Sequence, residues 1–202
     1  KDKISYEIVV VNDCSTDGTL EILEKNQDKY TKLINNTKNL GKGGSIKKAL
    51  SFCKNDYVYF QDADNEYDPK DFEKFFYVIE KFEPDCIIGS RFKYTDYIRS
   101  HYFFNKIGNF ILTNLFNLLY NTTFTDIYSC YLCFKKDLID PAKLKSNGWS
   151  QQAEILATVV SNSKVFYEVP ISYSGRTFEE GKKIKARHAF SVVYMILKKR
   201  LF

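Results

Sequence analysis

Two acidic side chains, Asp62 and Asp64, follow an apolar segment at residues 57–60 and are separated by one residue. Residues i and i+2 of an extended chain point to the same side, so both carboxylates can converge on one point beyond a strand end. Neighbouring carboxylates repel each other unless a cation lies between them, and hard divalent ions prefer oxygen ligands. The pair predicts a metal site. For an isolated pair of this kind, an acidic strand-to-helix loop would be the better explanation.

A further acidic residue, Asp13, follows the β-branched run at residues 8–11, which is typical of a buried parallel strand. In open α/β sheets, ligands bind beyond the carboxyl ends of the strands. We therefore expect Asp13 to accept a hydrogen bond from a nucleotide base or a ribose hydroxyl, and Asp17 to cap the next helix. The alternative is that both residues only cap that helix.

Two basic candidates lie near other strand ends. Lys42 belongs to a glycine-rich segment, residues 39–45, where N–H groups at a helix start could attract a substrate anion. Arg91 follows a strand predicted at residues 86–88, and its guanidinium suits a phosphate because it binds oxyanions bidentately. An ordinary surface arginine is the alternative for Arg91 and, more strongly, for Arg99.

The elements that must position these side chains alternate between strand and helix. Residues 57–60 are followed by Asp68 and Pro69, a helix cap and a helix-starting proline, and then by an amphipathic helix. Further strands are predicted at residues 128–134 and 165–169, with a helix between them. This order favours a parallel doubly wound α/β sheet. We expect one catalytic domain over residues 1–202, with a basic and apolar tail at residues 178–202.

One long segment, residues 102–120, is rich in Phe, Leu and Ile but is interrupted by asparagines. A membrane-spanning helix needs about 20 predominantly apolar residues, and this segment is too polar for that. It could be a helix buried in the core or one that lies on a bilayer surface with its aromatic side down.

The composition sets broader limits. The chain has 30 basic and 25 acidic residues, a net charge of +5, which suits phosphates or anionic lipids and does not require nucleic acid. Five scattered cysteines predict no disulfide framework, so we expect a reducing cytosol. Position 1 is not methionine, and we expect an N-terminal piece to lie outside this sequence.

Several segments together resemble a known family. The sequences IVVVNDCSTDGT, NLGKGGS, QDADNEYDP, IIGSRF, FTDIYSCYLCFKK and EVPISYSGRTFEEGKKI occur in the order seen in family 2 glycosyltransferases. They look most like the branch that makes dolichyl- and undecaprenyl-phosphate mannose or glucose. The resemblance implies a GT-A fold that here lacks its first strand, a nucleotide-sugar donor, Mg²⁺ or Mn²⁺, and an inverting transfer.

The resemblance also implies roles for individual residues. Asp13 would bind the nucleobase, Asp62 the ribose and the metal, and Asp64 the metal that bridges the diphosphate. The basic side chains would face or close over the phosphates of donor or acceptor; they are Arg91, Arg99, Arg176, Lys182 and Lys183. Asp126 and Glu154 would line the sugar and acceptor end of the cleft.

The acceptor stays open at this point. A lipid phosphate is already an anionic nucleophile near pH 7, whereas a sugar hydroxyl needs a carboxylate base, for which Asp126 and Glu154 are the candidates. We favour a polyprenyl phosphate, with peripheral contact to the cytoplasmic face of a membrane, because of the apolar helix and the basic tail. A glycan acceptor, or a non-catalytic GT-A module, is the alternative.

Overall fold

The computed structural model describes residues 5–93, 99, 102–177, 179–180 and 188–201. Six strands form two sheets within these residues. Strand β1 (Val9–Asn12) pairs in parallel with β2 (Lys32–Asn35). The second sheet contains β3 (Tyr57–Tyr59), β4 (Cys86–Ser90), β5 (Leu132–Lys135) and β6 (Phe166–Pro170), in the order β3-β5-β4-β6. Only β5 runs against its neighbours, so the sheet is mostly parallel in direction, as predicted.

In the part of the chain that the structure describes, six α-helices flank the strands: α1 (Thr19–Lys25), α2 (Gly41–Leu50), α3 (Phe72–Phe82), α4 (Phe103–Tyr120), α5 (Gln151–Ser161) and α6 (His188–Leu201). The predicted cap at Asp17 needs correction: the capping residue of α1 is Gly18, although the Asp17 carboxylate accepts from the N–H and the hydroxyl of Thr19 in the first turn. Asp68 likewise accepts from Lys70 N–H and begins the short 3₁₀ turn Pro69–Asp71 before α3.

The four-stranded sheet is buried on both sides, and alternate residues of β4 face opposite layers. Ile88 packs with Phe116 of α4 and Leu156 of α5, whereas Ile87 packs with Phe75 of α3. All five side chains are fully buried, and each stabilises the fold by about 1.5–3 kcal/mol. The carboxyl ends of β3 and β4 are thereby fixed relative to each other.

Two strand predictions need correction. The strand predicted at residues 128–134 begins only at Leu132, because Ser129 Oγ accepts from Tyr131 N–H and turns the chain before it. Val9, Val10 and Val11 are only half-buried, although their sequence is typical of a buried strand. The two-stranded sheet to which they belong offers less cover than the larger sheet does.

Helix α4 is buried on one side and exposed on the other, so the core contact is confirmed and the contact with a bilayer stays a prediction. Its inner side buries Leu112 and Phe116 in the core, whereas Phe104 on its outer side is 83 % exposed and Phe110 is 67 % exposed. Helix α6 packs beside it and has an exposed Phe190. No helix within the described residues is long and apolar enough to cross a membrane.

Candidate active site

The two acidic residues after β3 each carry a basic partner from another element. Asp62 accepts two hydrogen bonds from Lys42 Nζ on α2, at 2.6 and 2.8 Å. Asp64 accepts one from Arg176 Nη2, at 2.9 Å, in the segment after β6. Both carboxylates are about one-quarter exposed. Three separate parts of the chain therefore meet at one charged, solvent-accessible point beyond the carboxyl end of β3.

The segment at residues 172–177 is fixed against this point by further contacts. Arg176 Nε donates to Glu66 Oε1 at 3.1 Å, and Ser174 N–H donates to the Glu66 carbonyl at 2.8 Å. Tyr67 and Tyr173 form an isolated antiparallel bridge beside them. Glu66 was not among the predicted residues, although it continues the alternating pattern of Asp62 and Asp64 and could have been found from that spacing.

The charges at this point shift the titration of its members. Burial raises the pKa of Asp64, with the charges of Glu66 and Asp62 adding to it and Arg176 opposing. Burial alone would lower the pKa of Lys42, but the neighbouring Cys130 and Asp62 outweigh it and raise that pKa. Cys130 Sγ lies 3.2 Å from Lys42 Nζ, and burial raises the pKa of this thiol to about 11. Lys42 is therefore a cation and Cys130 a neutral thiol near pH 7.

These residues fit a divalent ion of the Mg²⁺ or Mn²⁺ type. Such an ion takes one or two carboxylates from the protein and completes its shell with water and substrate phosphates. Asp62 and Asp64 supply two carboxylates, and both already stabilise positive charge in the form of Lys42 and Arg176. No group of three or more His, Cys, Asp or Glu side chains suited to a metal occurs among the described residues.

Asp13 is used differently from the prediction. Its Oδ1 accepts from Leu40 N–H and its Oδ2 from Gly41 N–H, both at 2.8 Å, and Asn36 Nδ2 donates at 2.9 Å. Burial opposes ionisation, but these hydrogen bonds outweigh it and lower the pKa of Asp13. In the structure Asp13 fixes the start of α2. Its contact with a base stays a prediction.

The glycine-rich segment also differs from its prediction, because α2 already begins at Gly41. Gly43 N–H donates to the Asn147 carbonyl at 3.0 Å. A Cβ at Gly43 would lie 2.4 Å from the Ser146 carbonyl oxygen, and one at Gly41 would lie 2.7 Å from that of Asn147. The glycines here accommodate the backbone at residues 146–147, and the N–H groups of Gly41 and Gly43 have protein partners.

Arg91 and Asp126, predicted to face a phosphate and the acceptor, form an ion pair with each other. Arg91 Nε and Nη2 donate to the two carboxylate oxygens at 2.7 and 3.0 Å, and Arg91 N–H adds a bond of 3.1 Å. Asp126 is completely buried. Burial disfavours the charge on Arg91, but Asp126 outweighs it and raises the pKa of the guanidinium. The Asp126 carboxylate is thus engaged by Arg91, and the contacts of these two residues with donor and acceptor stay predictions.

The remaining predicted residues have these positions. Glu154 is 1 % exposed and accepts from the N–H groups of Lys145 and Ser146, so it too is engaged within the protein. Arg99 pairs with Glu180 at 3.1 Å, and both side chains are exposed. Lys182 and Lys183 lie outside the described residues.

Comparison with known proteins gives a family match. The sequence model of the family described as "Glycosyl transferase family 2" matches residues 2–140. A dolichol-phosphate mannosyltransferase of Pyrococcus furiosus is 26 % identical over 201 residues, which cover 96 % of this chain and 56 % of that protein. A dolichyl-phosphate β-glucosyltransferase of Dictyostelium discoideum is 33 % identical over 96 residues, 44 % of this chain and 29 % of that protein. An uncharacterized protein of Methanocaldococcus jannaschii is 36 % identical over 133 residues, 61 % of this chain and 56 % of its own. The chain thus spans about half the length, or less, of these relatives.

Solved structures match over most of the chain. Glucosyl-3-phosphoglycerate synthase from Mycobacterium tuberculosis, in complex with Mn²⁺, uridine diphosphate and glucosyl-3-phosphoglycerate, aligns with a TM-score of 0.67 at 13 % identity, covering 96 % of this chain and 68 % of that one. Mannosyl-3-phosphoglycerate synthase from Rubrobacter xylanophilus aligns with a TM-score of 0.65 at 16 % identity, covering 96 % and 62 %. At these identities the likeness establishes the fold.

Proposed function

The chain belongs to glycosyl transferase family 2 and has the GT-A fold, and on that premise we propose that it transfers a hexose from a nucleotide-diphosphate sugar to a polyprenyl phosphate at a membrane surface. The named relatives that act on dolichyl phosphate favour this acceptor. The donor is of the UDP-glucose or GDP-mannose type.

The observation that carries the proposal is the double ion pair beyond β3. Asp62 and Asp64 meet Lys42 and Arg176 within hydrogen-bonding distance, so carboxylates that suit a divalent ion stand beside cations that suit phosphate oxygens. Both cations are long side chains, 38 % and 43 % exposed, which can turn from the carboxylates to a diphosphate. The arrangement can therefore hold a metal-bound diphosphate with little movement of the backbone.

The chemistry is a single displacement at the anomeric carbon. An oxygen of the acceptor phosphate forms a bond to that carbon from one face while the bond to the diphosphate oxygen breaks on the other, which inverts the centre. A bound divalent ion supplies Lewis-acid stabilisation of the departing nucleoside diphosphate. Lys42 and Arg176 stabilise the same developing charge through hydrogen bonds to phosphate oxygens.

The state of the two candidate bases favours a phosphate acceptor over a hydroxyl. A hydroxyl nucleophile needs a general base within hydrogen-bonding reach. Asp126 and Glu154 are both buried, and their oxygens accept hydrogen bonds from Arg91 and from backbone N–H groups. A lipid phosphate needs no such base, because it is already ionised near pH 7.

The outer surface of α4 and α6 suits contact with a bilayer. Large apolar side chains there are exposed at Phe103, Phe104, Phe110, Ile111, Leu118, Phe190, Tyr194 and Leu201. The last turn of α6 adds Lys198 and Arg200, whereas Lys199 turns inward and pairs with the buried Glu154 at 3.5 Å. Aromatic residues beside basic ones are the composition of a surface that binds anionic lipid. Asn109 of α4 donates to Asp126 at 3.0 Å, so the same helix contacts the Arg91–Asp126 pair.

The test is a transfer assay on vesicles that contain polyprenyl phosphate. Labelled UDP-glucose and GDP-mannose are supplied with and without Mn²⁺, and Asp64→Asn is compared with Asp28→Asn, an exposed carboxylate on the short turn after α1. We expect metal-dependent label in the lipid fraction, lost in the first variant and kept in the second. Label that enters only a soluble sugar acceptor would overturn the proposed acceptor.

The membrane contact has its own test. Phe104→Ser combined with Phe110→Ser is compared with Tyr77→Ser, an exposed aromatic residue on α3. Since burial of an exposed aromatic side chain is worth about 1.5–3 kcal/mol, flotation with anionic vesicles should weaken by at least tenfold in the double variant. Equal flotation of both variants would contradict a role for this surface.

A further inference from the structure

We propose that Glu154 is a positioning residue of the donor site, which sets Lys42 against Asp62 by holding the loop at residues 145–147 under the first turn of α2. The inference rests on the proposed function, since it assigns Lys42 to the donor. Glu154 touches neither Lys42 nor Asp62 in the contacts of the structure; it acts through the loop.

The first step concerns the hydrogen bonds between Glu154 and the loop. Its carboxylate accepts from Lys145 N–H at 2.9 and 3.0 Å and from Ser146 N–H at 2.7 Å. Hydrogen bonds from backbone N–H to a carboxylate are charge-assisted and therefore about twice as strong as neutral ones. Glu154 lies on α5, whose residues from Gln151 to Ala157 are all buried, so the carboxylate itself has a rigid support.

The second step is the contact between the loop and α2. Asn147 carbonyl accepts from Gly43 N–H at 3.0 Å, and Asn147 Oδ1 accepts from Lys47 Nζ one turn later. The space between the backbones is too small for a side chain, as the 2.4 Å from a Cβ at Gly43 to the Ser146 carbonyl oxygen indicates. If the loop moves, the first turn of α2 must therefore move with it.

The third step concerns the contacts of Asp13 on the other side of the first turn of α2. Asp13 accepts from Leu40 and Gly41 N–H, so the start of α2 is held between Asp13 and the loop. Lys42 lies between Gly41 and Gly43 in this clamp, and its Nζ reaches Asp62 at 2.6 Å. If the contacts on one side of this turn are lost, Lys42 should no longer be held in the orientation that brings its Nζ to Asp62.

A matched control exists elsewhere in the chain. Asp85 also accepts from two consecutive backbone N–H groups, those of Lys164 and Val165 at 2.9 and 3.0 Å, and from a lysine, Lys135, at 2.9 Å. It precedes β4 and lies at the end of that strand opposite to Arg91. Asp85→Asn should cost stability in the same way as Glu154→Gln without altering the donor site.

The experiment measures the kinetics of both variants at a temperature below their unfolding transitions. We expect Glu154→Gln to raise the donor KM by about tenfold and to lower kcat as well, because a misplaced Lys42 loses hydrogen bonds to phosphate oxygens both in the bound donor and in the transition state, whereas Asp85→Asn leaves KM unchanged. In a Lys42→Ala background the effect of Glu154→Gln on KM should vanish, because the two residues act in series. Equal KM values in the two single variants, or an undiminished effect without Lys42, would refute the proposal.

A second readout needs no donor and separates this proposal from the proposed function. Cys130 Sγ lies 3.2 Å from Lys42 Nζ, so its alkylation rate, followed by peptide mapping, reports the position of Lys42. The alkylation rate of Cys130 in Lys42→Ala shows whether removal of the lysine speeds or slows the reaction. Glu154→Gln should change this rate in the same direction, and Asp85→Asn should leave it as in the wild type. If the wild type transfers no sugar, the proposed function fails, but the alkylation rates still show whether Glu154 positions Lys42. An unchanged rate in Glu154→Gln would overturn the inference.

Discussion

Replacement of Asp126 by asparagine separates a structural from a catalytic role for this residue. Asp126 is fully buried and accepts from Arg91, from Asn109 at 3.0 Å and from Tyr128 N–H at 3.2 Å. Asparagine keeps the shape but removes the charge, and it turns an NH₂ group toward other donors. Arg91, whose side chain is 14 % exposed, is left as a buried cation without a counter-charge.

The expected cost is large. Removal of one partner from a buried ion pair typically costs about 3–5 kcal/mol. That is a large part of the roughly 5–15 kcal/mol by which a domain is stable. Arg91→Met should be milder, because the Asp126 carboxylate keeps its hydrogen bonds from Asn109 and from the N–H groups of residue 91 and Tyr128. The double variant Asp126→Asn with Arg91→Met should lie within about 2 kcal/mol of the wild type, since no unpaired charge remains.

Urea unfolding followed by circular dichroism measures these differences, with Asp28→Asn as a surface control expected within about 0.5 kcal/mol of the wild type. An unchanged midpoint for Asp126→Asn, together with a collapse of kcat, would refute the reasoning and make Asp126 a general base. A double variant as unstable as the single one would show that hydrogen bonds other than those to Arg91 dominate.

Two further predictions concern stability. The backbone hydrogen bond from Lys164 N–H and the hydrogen bond from Lys135 lower the pKa of Asp85 from 3.8 to about 2. The stability that the ionised Asp85 contributes is therefore complete above pH 3.8 and is lost toward pH 2. In urea unfolding, Asp85→Asn should cost about 1–2 kcal/mol at pH 6 and almost nothing at pH 2. Gly43→Ala should cost about 1–3 kcal/mol, because its Cβ would overlap the loop backbone, whereas Gly148→Ala meets no atom within 4 Å and serves as the control. Equal unfolding midpoints for these two alanine variants would contradict that reading of Gly43.

Local patterns were enough to predict most elements. The β-branched run before Asp13 is a strand, the periodic phenylalanines after Pro69 form α3, and the acidic pair lies at a strand end as expected. Each of these predictions uses residues within one or two turns of one another. The order of strand and helix then indicates a parallel sheet, because a parallel pair needs a crossover connection. The fold could be inferred by that route.

The partners of the polar residues could not be inferred in this way. Arg91 and Asp126 are 35 positions apart, and Gly43 meets Asn147 more than 100 positions along the chain. In the sequence, a glycine that leaves room for a bound anion cannot be distinguished from one that leaves room for another segment of the backbone. Arg91 at a strand end suits a phosphate and a buried carboxylate equally well. Only the packing of α4 against the sheet decides between them.

The structure divides the acidic residues of the site by the kind of partner they hold. One group accepts from backbone N–H groups, which cannot move away without a change of fold, and it consists of Asp13, Asp126 and Glu154. Asp62 instead accepts from the end of Lys42. Asp64 accepts from Glu66 N–H at one carboxylate oxygen and from the end of Arg176 at the other, and both Lys42 and Arg176 are long and partly exposed side chains. Exchange of such a surface partner for a ligand costs little, because exposed ion pairs are worth at most about 1 kcal/mol. We therefore expect chemistry that depends on an exchange of partners at Asp62 and Asp64, while Asp13 and, through the loop at residues 145–147, Glu154 hold the start of α2, which carries Lys42.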